Sequence, residues 1–370
     1  MDRRQFLRSA AASAGGAMAG GAAGVAAGGL AAPALAQGKR DLRMVTVVPK
    51  NFPGIGTGAV RIAERVSAMT EGRLSITVYG GGELVPSLES FDVVSTGAVE
   101  MYHAPEYFWQ GKHRAYPFFC SVPMGLTASE LEAWILYGGG QVLWDELAAE
   151  FRIKPLMAGN TGTQMGGWFT KEINSVDDLT GLKMRIPGLG GEVLRQLGVL
   201  SVVIAPGEIL PALQSGAVDA VELVGPWSDL AAGLYKAAKF YYYPGFHEPG
   251  PSLTCGINMA VWESFSATDQ AIITAACHAE NSHMIAEYNA HNGAALDTLV
   301  NKHGVRFEAY PDDVFDALGK VSEEVVAAFA DGDDLSRRIY DSYALARKTV
   351  GNWLDRSDRA FAAHRKRTLG

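Results

Sequence analysis

Of the groups in this chain that can do chemistry, the guanidinium of Arg185 has the most informative surroundings. It lies in Gly181-Leu-Lys-Met-Arg-Ile-Pro-Gly-Leu-Gly-Gly191. Apolar and basic residues alternate over 182–186, which predicts a short strand with one buried face. Pro187 closes that strand, and the glycines allow a tight turn into a helix starting near 192. An arginine at the carboxyl end of a strand, before a glycine-rich turn, is placed where α/β folds contact their ligands. There it can hold a carboxylate through two parallel hydrogen bonds, which lysine does less well. On residue type alone, an ordinary surface ion pair is the competing reading. Motifs for other chemistry are missing: there is no Gly-x-Ser-x-Gly elbow, no P-loop and no dinucleotide fingerprint. His278, His283 and His291 are spaced five and eight apart, which does not put all three on one helical face as a metal site would need. Cys120, Cys255 and Cys277 are far apart in sequence and read as buried fillers, with one disulfide as the alternative.

The elements that must position Arg185 form two series. The first predicts strands at 42–48, 74–79 and 99–103, with helices at 59–69 and 86–96. A helix over 129–150, broken near 138–140, leads to a strand at 153–158. The second series predicts strands at 182–186, 202–204 and 218–223, with helices at 192–197 and 208–215. A strand near 255–259 carries the chain back, and long helices over 267–303 and 312–330 follow. Repeated β-α-β units argue for mainly parallel sheets with helices on both faces. The expectation is an α/β, two-lobed fold with a ligand cleft between the lobes and long C-terminal helices. Lobe I would span 37–160, lobe II 161–248, and 249–370 would cross over and pack on both.

Residues 1–36 read as a leader, not as fold. Asp2-Arg-Arg-Gln-Phe-Leu-Arg8 is a twin-arginine pattern, followed by an Ala/Gly-rich run ending in Ala34-Leu-Ala36. This predicts Tat export to the periplasm with cleavage near Ala36. Removing three arginines and one aspartate takes away a net +2, so the whole-chain −8 becomes −10. So acidic a protein, with a basic run only at His364-Arg-Lys-Arg367, is a poor partner for nucleic acid.

Several stretches together carry a resemblance. They are Asn51-Phe-Pro-Gly54, Gly82-Glu-Leu-Val-Pro86, Gln164-Met-Gly-Gly-Trp168, Asp178 through Gly188, Glu208 through Gly216, Asp219 through Trp227, and Tyr242 through Gly250. The chain resembles the solute-binding proteins of tripartite ATP-independent periplasmic (TRAP) transporters. Within that family it is most similar to the subgroup that binds α-keto acids and related 2-oxo or 2-hydroxy monocarboxylates with a metal ion. The resemblance implies a binding protein, not an enzyme, that delivers a small acid to TRAP permease subunits. It matches Arg185 to the arginine that pairs with the substrate carboxylate. It matches Gln164 and Glu222 to side chains that hold the cation, and Leu223 to a backbone-carbonyl ligand where the subgroup commonly has Trp. Such an oxygen set suits Na+ or Ca2+.

Other residues are candidates on their own position. Glu248, in His247-Glu-Pro before a crossing strand, is a further cation candidate. Tyr107 follows a strand end and can donate its hydroxyl to a ligand oxygen, and Asn258 is a candidate hinge or pocket donor. Trp109 and Trp168 read as pocket or core. The C-terminal helices suggest a homodimer or packing within one chain. The rival function is a secreted metal-dependent lyase or hydrolase using Glu222 as base and the cation as Lewis acid. A ligand sensor for a signalling receptor would use the same pocket.

Overall fold

The computed structural model describes residues 38–370; the leader expected over 1–36, with its cleavage point near Ala36, lies outside the described residues. The strands are β1 (Arg40–Thr46), β2 (Leu74–Tyr79), β3 (Met101–Ala104), β4 (Ile153–Asn160), β5 (Gly167–Phe169), β6 (Lys183–Arg185), β7 (Leu200–Val202), β8 (Ala220–Val221), β9 (Phe240–Tyr243), β10 (Ser252–Asn258) and β11 (Arg306–Ala309). They form a five-stranded sheet in the order β2-β1-β3-β10-β4 and a six-stranded sheet in the order β11-β9-β5-β8-β6-β7. The mixed α/β, two-sheet architecture expected from the sequence is therefore present.

Alternation decides which residues enter which layer. Leu42 and Met44 of β1 face a cluster with Ile62 and Val66 of the helix Ile55–Met69 and Ile273 and Cys277 of the helix Ala267–Asp297, while Val45 faces the opposite side. All three cysteines are buried and free. The helix expected over 129–150 does break at the glycines, into Ala128–Tyr137 and Gly140–Ala149, with Gly139 in the left-handed region at φ 86°.

The sheets are mixed: among the described residues five strand pairings are parallel and four antiparallel. The first β-α-β runs pair in parallel, as in β1 with β2 and β3 and β6 with β7 and β8. The strands that adjoin the crossings, β10 and β5, are antiparallel to their neighbours. A strand arriving from the other sheet has no crossover helix to turn it round, so it enters in the opposite sense. The chain passes between the sheets a third time. After β10 the helix Ala267–Asp297 leads to β11, which pairs with β9 at the edge of the second sheet. The two linking segments nearest the site lie side by side. Thr161 N donates to Pro251 O (3.3 Å), Gln164 N to Glu248 O (3.0 Å), Gly245 N to Gln164 O (2.8 Å) and Gly166 N to Tyr242 O (2.7 Å).

One buried acid in the first half gives stability a pH signature. Glu106 accepts from Tyr102 Oη at 3.0 Å and is fully buried, which raises its pKa from the usual 4.5 to about 8. Between those values the folded chain keeps a proton that the unfolded chain releases. Its contribution to stability is therefore complete below about pH 4.5 and falls as pH rises towards 8, by at most about 1.4 kcal/mol per pH unit. Glu106→Gln should remove this part of the slope in urea titrations at pH 5, 6.5 and 8. An unchanged slope would place the proton elsewhere.

Candidate functional site

The site begins where two parallel strands end side by side. Arg185 closes β6, and Glu222 follows β8 directly, with Glu222 N donating to Arg185 O at 3.0 Å. Arg185 is fully buried, and its guanidinium is held from behind. Nε donates to Ile204 O (3.1 Å), and Nη1 donates to Glu222 O (2.6 Å) and to Glu222 Oε2 (3.3 Å). The helix after the glycine turn begins at Gly188, earlier than expected, since the glycines themselves form its first turn.

The linking segments bring the remaining polar groups to the same place. Gln164 is buried, with Nε2 spent on Thr161 Oγ1 (3.1 Å) and Oε1 left without a hydrogen bond. Glu248 is buried with Oε2 unpartnered, and burial followed by the nearby Glu222 charge pushes its carboxyl well above the usual range, against the pull of Arg185. Glu222 Oε1 is likewise unpartnered. Glu222, His247 and Glu248 each offer one ligating atom, and those atoms all lie within 4.8 Å of one another. Unpartnered buried acceptors are uncommon because each forfeits its hydration. Two of them, on the clustered carboxylates of Glu222 and Glu248, fit a cation, which satisfies acceptors and offsets their repulsion.

The backbone under this cluster has no slack. A Cβ on Gly245 would lie 2.7 Å from Gln164 O and 2.9 Å from Met165 O, both backbone atoms. Gly245→Ala must therefore part the two linking segments. We expect a loss of about 1–3 kcal/mol in stability and weaker ligand binding, read by denaturant titration and calorimetry. An unperturbed variant would show that the segments move freely.

The other expected residues are divided. Leu223 follows Glu222 directly, and its carbonyl oxygen accepts no hydrogen bond from the described residues. Its side chain faces a cleft of about 560 Å³ lined also by Phe52, Pro53, Ile209, Leu210 and Leu234. None of Arg185, Gln164, Glu222, His247 and Glu248 lines that cleft, and Leu223 is the neighbour in sequence of Glu222. Tyr107 is buried and electrostatically coupled to Glu248, Glu222 and Arg185, and burial holds its hydroxyl in the protonated form. The expectation for Asn258 is corrected. It caps the helix Met259–Glu263, accepting from Ala260 N and Val261 N and donating to Val94 O, at the opposite end of β10 from Glu248. Trp109 and Trp168 are core residues, Trp168 stacking on Tyr241 at 4.1 Å.

Sequence reading missed His247 and Asp229. Asp229 is buried and accepts from Trp168 Nε1 (2.9 Å), Tyr241 Oη (2.7 Å) and Val224 N (3.2 Å), and burial raises its pKa to about 7. Its bond back to Val224 braces the turn that presents Leu223. An acid in the first turn after Gly225-Pro226 was the available signal.

A family description, the bacterial extracellular solute-binding proteins of family 7, matches residues 44–332. The chain belongs to that family. This solute-binding protein is 43% identical over 311 residues to the monocarboxylate 2-oxoacid-binding periplasmic protein of Nostoc sp., covering 84% of this chain and 85% of that one. It superposes on a TRAP transporter solute-binding protein of Bordetella bronchiseptica with a TM-score of 0.88 at 36% identity, covering 90% of this chain and 98% of that one; that protein is a mixed-occupancy dimer with copurified calcium and picolinate. It also superposes on a TRAP periplasmic solute-binding protein of Pseudoalteromonas atlantica with bound sodium and pyruvate, with a TM-score of 0.85 at 37% identity, covering 88% and 99%. The solute-binding protein thus shares the two-lobed TRAP receptor fold. Among the described residues no helix is long and apolar enough to cross a membrane.

Proposed function

We propose that this TRAP solute-binding protein captures a small 2-oxo or 2-hydroxy monocarboxylate together with a cation, and hands it unchanged to membrane permease subunits from the periplasm after Tat export. The observation that carries this reading is the buried group of Glu222, His247 and Glu248, whose ligating atoms lie within 4.8 Å of one another beside the Arg185 guanidinium, with unpartnered buried acceptors on Gln164, Glu222 and Glu248. Gln164, Glu222, Glu248 and the Leu223 carbonyl would hold the cation, which the relatives supply as calcium or sodium. The ligand carboxylate would bridge the cation and Arg185, with Tyr107 donating to a ligand oxygen. Nothing here requires a reaction.

The lobes would be 37–160 and 161–248, joined by 249–370, and would close about the paired segments carrying Gln164 and Glu248. Closure expels water and strengthens the charged contacts. The alkyl end of the ligand would pass Leu223 into the apolar cleft. Leu223→Trp should therefore shift preference from five- and six-carbon 2-oxo acids towards pyruvate. Equal losses for all chain lengths would remove the cleft from the binding path. A second copy would cover the exposed Leu345, Trp353 and Phe361 of the helices Asp334–Leu354 and Asp358–Leu369, the latter having no buried residue. Light scattering of the purified protein tests that dimer.

The function itself is tested by thermal shift of the mature protein against a panel of 2-oxo and 2-hydroxy acids, in sodium, in calcium and after chelation, with the ligand recovered and identified by NMR. A cation-dependent shift with unchanged ligand supports the reading. Turnover of the acid would favour the lyase or hydrolase, and no shift across the panel would sink the ligand class.

A further inference from the structure

Glu106 is a buried carboxyl that the capture of cation and acid does not use, yet it stands next to a residue that does. It directly precedes Tyr107 in the short turn Glu106–Trp109, which follows β3 and Pro105. The two side chains part company there. Tyr107 lines a small cleft with Ile186, Pro187 and Gly188, the residues that follow Arg185, and a Cβ on Gly188 would lie 3.1 Å from Tyr107 Cβ. Glu106 is instead fully buried among groups of the first sheet and its helices. Its Oε1 accepts from Tyr102 Oη of β3 (3.0 Å), and Thr254 of β10 and Trp144 of the helix Gly140–Ala149 face the same carboxyl. Tyr116 and Cys120 face it from the turn Tyr116–Phe119 and the residue after it. Glu106 Oε2, Thr254 Oγ1, Trp144 Nε1 and Tyr116 Oη are all buried without a hydrogen-bond partner. So many polar atoms gathered in one dry place are uncommon without a task.

The far end of the turn is fixed by packing, Trp109 lying against Phe91 (5.3 Å) and Tyr102 (5.9 Å). The near end is held by polar groups. The backbone N–H groups of Glu106 and Tyr107 point at the Cys120 sulfur, which itself donates to Ser252 O of β10 at 3.2 Å. We infer that Glu106 is a positioning residue for the bound acid: it ties the turn that carries Tyr107 to Thr254 of β10, and so fixes where the tyrosine hydroxyl meets the ligand. The inference rests on the Tyr107 contact proposed above and adds the group that aims it. Burial raises the carboxyl's pKa to about 8, so at neutral pH it keeps a proton to donate to Thr254 Oγ1 while it accepts from Tyr102. Ionisation reverses this, because burial disfavours the charge and favours conformations in which the turn swings out and the carboxylate meets water. Tyr102, Tyr116 and Cys120, the titratable groups facing it, are themselves pushed up by burial, so the carboxyl is the member that changes charge near pH 8.

The test is calorimetry of the mature protein with pyruvate in saturating CaCl2, between pH 7 and pH 9. Glu106→Ala should weaken pyruvate about tenfold at pH 7 with Ca2+ affinity unchanged, which also shows that the variant folds. Tyr107→Phe should weaken it by a similar factor. The double variant should bind no more weakly than Tyr107→Phe alone, since one residue acts through the other. Glu106→Gln keeps a donor and an acceptor and should restore most of the affinity at pH 7. From pH 7 to pH 9 the parent should lose about tenfold in affinity as the proton leaves, and Glu106→Gln should lack that loss. A role in stability alone would not move this profile, and it decides the matter should Glu106→Ala fail to fold. Additive losses in the double variant would overturn the inference, and so would the same fall with pH in Glu106→Gln as in the parent. A Tyr107→Phe that binds pyruvate as the parent does would overturn it too, while leaving capture by the cation and Arg185 standing. Absence of pyruvate binding in the parent would remove the proposed ligand class and this inference with it.

Discussion

Arg185→Ala is expected to abolish tight ligand binding while cation binding persists. The guanidinium is buried at the end of β6, and three backbone or side-chain oxygens hold it in place. A ligand carboxylate drawn out of water into that environment needs a charged partner. Removing one partner of a buried, hydrogen-bonded charge pair costs about 2–5 kcal/mol, or from about 30-fold to more than 1,000-fold in Kd. Arg185→Lys keeps the charge but not the planar fork, since lysine cannot reach Ile204 O and Glu222 O while also facing the ligand with two parallel donors. It should fall between the parent and alanine. Calorimetry with pyruvate and longer 2-oxo acids measures both variants, and circular dichroism confirms that they fold. Alanine binding as tightly as the parent would move the carboxylate site away from β6.

Glu222→Ala should remove cation and ligand together. Glu222 contributes an unpartnered carboxylate oxygen to the cluster, and its backbone carbonyl anchors Arg185. If the ligand carboxylate bridges cation and arginine, the two occupants are thermodynamically linked. The cation must then raise ligand affinity by the same factor by which the ligand raises cation affinity. We expect a factor of about 100, at the upper end of ordinary coupling. The parent after chelation should resemble Glu222→Ala with or without cation, and adding cation should rescue only the parent. A variant that still responds to cation would show that Glu222 is not among the ligands. Ligand affinity in the parent that ignores cation would dismantle the bridge itself.

The site was legible in unequal parts. Arg185 could be placed because alternation, a closing proline and a glycine-rich turn fix a strand end locally. Gln164, Glu222 and Leu223 could be named through the family resemblance and Glu248 from its place before a crossing strand, although the backbone pairing of Gln164 with Glu248 joins segments about eighty residues apart that no local pattern encodes. His247 passed as a loop residue because nothing in its neighbours signals that both ring nitrogens would be buried and unpartnered. Asn258 failed for the opposite reason. An amide just before a helix is equally well read as a cap, and here the cap is what the backbone required. The parallel-sheet expectation broke at β5 and β10, since β-α-β periodicity describes neighbours in sequence and says nothing of strands that arrive from the other half.

The position of β10 has a consequence for how the molecule comes into being. It is not an edge strand but lies between β3 and β4, inside the first sheet. A ribosome that has made every residue of the first half, and most of the second, has therefore still not supplied the strand that joins β3 to β4. Until residues 252–258 emerge, the nascent N-terminal half presents two unfinished pieces with open hydrogen-bonding edges. The halves cannot mature one after the other as beads on a string. Completion waits for a late, long-range pairing, the kind of step that slows folding and exposes chains to aggregation. A chain stopped short of β10 should be a target for chaperones, whereas one stopped just beyond it already holds a complete first sheet.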